Sequence, residues 1–231
     1  IFRPSIKSVD ITVSGIEDFS FIRNITGLER FSAGGSLNTW SAIQNLRSHQ
    51  SETLESLNLP VNRPILSTGG FPSLKSLVMS GFDEYDGVFD FIRGIGSLEK
   101  LTLISRNYSK SLDVLSTLNL FKLTLSLGGF NGDISPVSNN VSLVELDMYL
   151  PNFTGSLSSL SILEDLVKLN VTTDSAVDID MSEMVNLTSQ NVSVRFNDEE
   201  CLSECYDDSD DDGDSDDDGD DYDFNDTPYL I

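Results

Sequence analysis

Residues Leu98–Leu103 read LEKLTL, and the order Leu-x-x-Leu-x-Leu in this stretch decides the fold. The same order recurs along the chain with an apolar residue at each of the three places. Its copies are LESLNL from Leu54, LKSLVM from Leu74, LFKLTL from Leu120, LVELDM from Leu143 and LVKLNV from Leu166. From Leu54 to Leu166, successive copies start 20, 24, 22, 23 and 23 residues apart. The frame extends to LERFSA from Leu28, to IKSVDI from Ile6 and to Ser189–Val194, where Val192 and Val194 are apolar, which predicts about nine units.

A repeat of this length has a simple physical explanation. In a short β-strand, alternate side chains point to opposite faces, so the two last apolar residues of each copy point inward. A single strand cannot bury that face alone, and stacked copies share a continuous core. A β-sandwich or barrel would have no reason to keep the spacing nearly constant. The sequence therefore predicts a solenoid.

These segments resemble the repeats of leucine-rich repeat proteins over residues 1–197. FNGDIS from Phe130 and FTGSLS from Phe153 are similar to the plant-type repeat, which has Phe/Leu-x-Gly-x-Ile after the strand. The family's ladder asparagine is matched by Asn62 and Asn197, and other residues replace it at Arg106, Gly128, Pro151 and Asp174. The resemblance implies an α/β solenoid of about nine repeats, with a parallel β-sheet on the concave face. We expect a convex side of loops and short helices, with insertions at 32–48 and 82–96.

Charge divides the chain into two parts. The formal net charge is −24. Residues 198–231 contain 17 acidic residues and no Lys or Arg. The body before them has 21 acidic and 14 basic residues and therefore a net charge of −7. Residues 1–197 are thus the predicted solenoid, and 198–231 a C-terminal cap with an acidic segment. Such a surface repels nucleic acid phosphates, and no apolar run reaches the ~18 residues of a membrane span.

Eight Asn-x-Ser/Thr sequons predict a secreted or cell-surface glycoprotein. Their number exceeds the roughly three that this composition would give by chance. N-glycosylation requires the secretory route, whereas a Ser/Asn-rich cytosolic protein is the alternative. The candidate acceptors are Asn24, Asn107, Asn140, Asn152, Asn170, Asn186, Asn191 and Asn225. Asn170 and Asn191 are expected on the concave face, where glycans would block the C-terminal repeats.

The only two cysteines, Cys201 and Cys205, follow the last repeat, where a solenoid needs a cap. We expect a disulfide between them, with a metal pair or two free thiols as alternatives. A metal pair is disfavoured because the only histidine, His49, is about 150 residues away.

The stretch YDDSDDDGDSDDDGDDYDF, Tyr206–Phe224, spaces its aspartates in a register. Alternate aspartates before a glycine can supply the oxygen ligands that calcium requires. The candidate ligands are Asp208, Asp210, Asp212, Asp214, Asp216 and Asp218. Gly219 and Asn225 stand where an EF-hand loop needs its glutamate, which excludes that motif. The segment resembles the calcium repeats of thrombospondin type 3, and a disordered run of like charge is the alternative.

No catalytic constellation is present in the sequence, because His49 lies alone in a polar segment and no phosphate loop follows a strand. We therefore expect a non-enzyme: an extracellular structural or adhesive protein that binds other copies of itself, with calcium ordering its tail. Two alternatives stay open. One is a ligand-recognising receptor ectodomain fragment, and the other resembles the acidic nuclear leucine-rich repeat proteins that bind histones.

Overall fold

The computed structural model describes residues 5–12, 15–35, 38–61, 64–65, 70–82 and 87–173, together with the backbone of one strand at 193–196. In this described part of the chain, nine parallel strands follow each other in chain order within one sheet. They are β1 Ser8–Thr12, β2 Arg30–Gly34, β3 Ser56–Pro60, β4 Ser76–Ser80, β5 Lys100–Ser105, β6 Lys122–Leu127, β7 Glu145–Tyr149, β8 Lys168–Thr172 and β9 Ser193–Phe196. The predicted leucine-rich repeat solenoid is therefore confirmed, with one strand from each predicted unit.

The pairing register shows why the repeat produces this sheet. The middle leucine of each copy pairs with its equivalent in the next, so that Leu101 lies beside Leu123 and Leu123 beside Leu146. Their side chains are at most 1% exposed. The residues between them point to solvent, as in the alternating pattern of β6. One leucine per strand thus builds a continuous inner layer, since parallel strands in register stack equivalent side chains.

The ninth unit lies two residues later than the sequence predicted. Its expected inward residues were Val192 and Val194, but β9 pairs Val194 with Leu169 and Phe196 with Val171. The spacing from Leu169 to Val194 is 25 residues, longer than the preceding period of 23. A fixed period therefore placed the frame incorrectly at this unit.

Short helices and turns cover the other side of the core. They are α1 Thr39–Gln50, α2 Gly87–Arg93 and α3 Ser135–Ser138, with 3-10 helices at Ser20–Asn24, Asp113–Thr117 and Ser158–Ile162. The helix α2 lies within the predicted insertion at 82–96, and α1 begins within the one at 32–48 and ends two residues beyond it. Asn38 caps α1 by accepting a hydrogen bond from the Ser41 N–H at 3.1 Å, which satisfies one free amide of the first turn. Buried phenylalanines such as Phe130 and Phe153 fill the space between these elements and the sheet.

Two buried amide side chains connect neighbouring repeats on this side. The Gln50 Oε1 accepts from the Leu28 N–H at 3.1 Å, and its Nε2 donates to the Ile25 carbonyl at 2.9 Å. The second such residue is Asn140, described below. Each satisfies backbone groups that the convex loops leave unpaired inside the core, where an unpaired polar group is costly. Among the described helices, none is long and apolar enough to cross a membrane.

Candidate functional site

The exposed face of the sheet is the candidate site, because alternate residues of the strands reach solvent there. Strand pairing aligns these residues into rows across the repeats. The middle row contains Val78, Thr102, Thr124, Asp147 and Asn170, and the row at the strand ends contains Ser80, Ile104, Ser126, Tyr149 and Thr172. In a leucine-rich repeat fold this face is the concave one. Its side chains stand on rigid strands, so their positions are well defined.

Charged side chains on β6, β7 and β8 form two neighbouring ion pairs on this face. The Lys122 Nζ donates to the Glu145 Oε2 at 2.6 Å, and the Lys168 Nζ donates to the Asp147 Oδ1 at 3.1 Å. The Asn170 Nδ2 also donates to that Asp147 oxygen. Four charges on three neighbouring strands therefore neutralise each other, so this end of the face carries little net charge.

The pKa values of one pair shift as the geometry requires. The hydrogen bond from Lys122 lowers the pKa of the Glu145 carboxyl, and the same bond raises the pKa of the Lys122 ammonium. The Glu145 contribution is present above its unfolded-state pKa and is lost as the pH falls through the folded value. The Lys122 contribution is present below its unfolded-state pKa and is lost as the pH rises through the folded value. Both groups stay ionised near neutral pH, and their solvent exposure makes the pair a weak source of stability.

Two large apolar side chains interrupt this polar face. Ile104 is 41% exposed on β5, and Tyr149 is 42% exposed on β7. Both pair with Ser126 of β6, which lies between them in the row. Strands in a sheet are about 4.8 Å apart, so the two side chains are about 10 Å apart along the row. Exposed aliphatic and aromatic groups on a rigid surface are the usual anchors of protein interfaces.

The strands β3 and β4 present a different surface, with small uncharged side chains. Its outward residues are Ser56, Asn58, Pro60, Ser76, Val78 and Ser80, each half-buried. Ile104 directly follows LEKLTL and Tyr149 directly follows LVELDM, so both strands extend past the three residues of the repeat motif. Ile104 was not among the residues predicted for the exposed face. The available signal was an apolar residue directly after LEKLTL.

The predicted sequons occupy different environments. Asn24, Asn107 and Asn152 are exposed, and Asn107 and Asn152 follow the ends of β5 and β7. Asn170 is half-buried on the exposed face, and its amide nitrogen is held by Asp147. These four acceptors remain predictions. Asn186, Asn191 and Asn225 lie outside the described residues.

The structure contradicts the predicted glycan at Asn140, because the Asn140 side chain is 0% exposed. Its Oδ1 accepts from the Leu120 N–H at 3.2 Å, and its Nδ2 donates to the carbonyls of Leu115 at 3.0 Å and Val137 at 3.1 Å. A glycan would replace one of the two Nδ2 hydrogens and has no path out of the core. The folded structure is therefore incompatible with a glycan at Asn140.

The remaining predicted site residues lie outside the part of the chain that the structure describes. These are Cys201, Cys205 and the aspartates Asp208, Asp210, Asp212, Asp214, Asp216 and Asp218. The predicted boundary between residues 197 and 198 also stays a prediction. Within the described residues, no group of three His, Cys, Asp or Glu side chains could hold a metal ion.

The sheet and its repeats define the fold as a leucine-rich repeat solenoid, and a solved structure supports this. An internalin, inlF from Listeria monocytogenes, matches 78% of this chain with a TM-score of 0.50 and 21% identity. The match spans 59% of the internalin chain, so this chain corresponds to only part of that protein. Internalin C2 from the same organism matches 68% of this chain and 75% of its own, with a TM-score of 0.43 and 17% identity. No protein-family model matches the sequence, and no curated protein matches it.

Proposed function

We propose that this chain is an extracellular, adhesion-type leucine-rich repeat glycoprotein that binds proteins through the exposed face of its sheet. The observation that carries the proposal is the pair Ile104 and Tyr149, two exposed apolar side chains in one row of a polar face. Removing such side chains from water on binding stabilises a complex by roughly 25 cal/mol per Å² of apolar surface. The neighbouring charges already pair with each other, so a partner would not have to compensate an unpaired charge there.

The partner is another copy of the same chain, which docks by its C-terminal segment. That segment contains the aromatic residues Tyr206, Tyr222, Phe224 and Tyr229 among its aspartates. Calcium on the aspartates would cancel the repulsion between them and allow the aromatic side chains to approach the row of Ile104 and Tyr149. A head-to-tail contact of this kind does not close on itself, so it builds a filament.

The sequons support the extracellular part of the proposal, and glycans on them would define where a partner can bind. Asn107 and Asn152 are exposed beyond the ends of β5 and β7. Asn170 lies on the face itself, and a glycan there would cover β8 and restrict the partner to β3–β7. Ile104 and Tyr149 lie within the part of the face that would stay open.

Calcium binding is the first testable consequence. We expect isothermal titration of the full chain to show calcium binding at millimolar concentration or below, because six alternate aspartates supply enough oxygen ligands. Chelation should make residues 206–224 sensitive to protease and should weaken self-association, and added calcium should reverse both effects. Magnesium is the matched control ion, since it demands stricter octahedral geometry. Absence of calcium binding would leave the segment a brush of charge and would remove calcium from the proposal.

The face itself is tested by Ile104→Arg in the full chain, in calcium. We expect this variant to sediment as a smaller species than the unmodified chain, since a charge at the anchor must be desolvated on docking. Ile162→Arg is the matched control, because Ile162 is 56% exposed on the convex side. Equal sedimentation of the two variants would exclude the exposed face as the contact.

A further inference from the structure

The residues directly before the strands β1 to β8 form a continuous row along one edge of the sheet. From Glu29 onward, each donates its backbone N–H to the carbonyl of its equivalent in the preceding repeat, as Val144 does to Phe121 at 2.9 Å and Val167 to Val144 at 2.9 Å. The row runs through Lys7, Glu29, Glu55, Lys75, Glu99, Phe121, Val144 and Val167. Backbone hydrogen bonds are thus satisfied along the edge, and only side chains are available to a partner.

The chemistry of this row changes abruptly between the fifth and sixth repeats. Its first five residues are charged, whereas Phe121 is 47% exposed and Val167 is 61% exposed. Val141, 59% exposed in the turn before β7, adds to them. We call Phe121, Val141, Val144 and Val167 the edge patch. The fold does not require apolar residues there, because charged residues fill the same position in five other repeats.

We propose that the edge patch binds the edge patch of a second copy of this chain, with a two-fold axis parallel to the row. Such an isologous contact places Val167 opposite Val167 and Val144 opposite Val144. It needs neither the C-terminal segment nor calcium, so it is independent of the head-to-tail contact proposed above. The two contacts together would join filaments side by side.

Charges beside the edge patch determine the direction of the axis. Lys168 follows Val167 on the side of the sheet face, and the exposed turn of Glu164 and Asp165 precedes it on the opposite side. An axis parallel to the row exchanges these two sides, so that Lys168 faces the acidic turn of the other copy. An axis across the row would instead place Lys168 against Lys122, so that the acidic turn would gain no opposite charge. Complementary potentials select the first arrangement.

The same arrangement limits the size of the contact. Glu99 would face Glu99 in the adjoining repeat, which confines the interface to the three repeats from Phe121 to Val167. The edge patch exposes on the order of 300 Å² of apolar surface per chain, less than the roughly 800 Å² per partner of a standard interface. We therefore expect a weak dimer that forms at high protein concentration or between chains already held in a filament.

Variants of the full chain with one added cysteine test this contact in the presence of a chelator. We expect Val167→Cys to give several-fold more disulfide-linked dimer on a non-reducing gel than Glu55→Cys does. Glu55 is the matched control, because it is exposed and holds the same row position among the charged repeats. Sedimentation adds a second measurement: Val167→Asp should shift a concentrated sample towards monomer, whereas Lys75→Asp should not.

Two results would overturn the proposal. One is an equal yield of disulfide-linked dimer from Val167→Cys and Glu55→Cys. Absence of dimer from both variants, with the unmodified chain sedimenting as a monomer at every concentration, counts as the same result. The other is a linkage from Val167→Cys to Cys201 or Cys205 of the same chain, detected by mass spectrometry as a bridged monomer. The latter would mean that the chain's own C-terminal segment covers the edge patch. Neither result bears on Ile104→Arg, which tests the calcium-dependent contact.

Discussion

Replacing Asn140 by alanine should lower the free energy of unfolding by roughly 4 kcal/mol, because a buried backbone group without a partner costs about 1–3 kcal/mol. The Leu120 N–H would lose its acceptor. The Leu115 and Val137 carbonyls would each lose one of two hydrogen bonds, at about 1 kcal/mol each, and keep those from the Leu118 and Asn140 backbone N–H groups. The cavity left by the amide adds to this cost. The expected measurement is a lower midpoint of urea unfolding with an unchanged slope.

Ser142→Ala is the matched control, since it removes the sequon and leaves the Asn140 amide in place. We expect this variant to unfold at the same urea concentration as the unmodified chain. Its mass should also fall by the serine oxygen alone when both proteins come from a secretory host. Loss of one glycan from Ser142→Ala would show that Asn140 is modified, contrary to the structure. Unfolding of Asn140→Ala and Ser142→Ala at the same urea concentration would show that the three hydrogen bonds contribute little.

The strands could be predicted from the sequence because the repeat acts through local geometry. Leu101, Leu123 and Leu146 are inward because a strand alternates its faces, and the period brings them side by side. This logic needs only the spacing, and it located eight strands without error. It failed at β9, where two additional residues precede Val194 and no periodic signal reports their presence.

The buried state of Asn140 could not be predicted in the same way. A sequon is recognised from the residue two places later, here Ser142, and that pattern contains no information on burial. Gln50 has the same function between other repeats. It lies four residues before the first leucine of its repeat, Leu54, whereas Asn140 lies three residues before Leu143. The two amides therefore share no position in the repeat alignment. Their common function becomes visible only when each is seen to bind the N–H of the first leucine in the preceding repeat.

The candidate binding surfaces show the same limit. Ile104 directly follows one copy of the repeat motif and Phe121 is the second residue of another, and the motif specifies neither. Their exposure follows from strand length and from the edge on which each residue lies. The charge of a face can be counted from the sequence. A contiguous apolar patch can be recognised only when it is known which side chains of neighbouring repeats lie side by side. Such patches on a folded chain are the features that indicate partners.

Gly128 stands where the repeat family has its ladder asparagine, and the sequence alone suggests a tolerant, degenerate position. The structure shows the opposite. A Cβ atom on Gly128 would lie 2.4 Å from the Arg106 carbonyl oxygen and 3.1 Å from its carbon. The Gly128 N–H also donates to the Ser105 carbonyl at 2.8 Å, which holds the two loops together. Only a residue without a side chain fits between them.

We therefore expect Gly128→Ala to destabilise the solenoid by about 3 kcal/mol, the scale of an overpacked site where backbone must move. Gly96→Ala is the matched control, because its Cβ would meet nothing within 4 Å and its φ is not left-handed. That variant should be neutral or gain up to ~1 kcal/mol, since alanine restricts the unfolded chain. Urea unfolding of the two variants measures the difference.

Equal stability would mean that the loop after β6 can move away from Arg106 at little cost. The Gly128 carbonyl, which accepts from the Asn152 Nδ2, would then be free to move as well, and the sequon at Asn152 would no longer be tied to the neighbouring repeat.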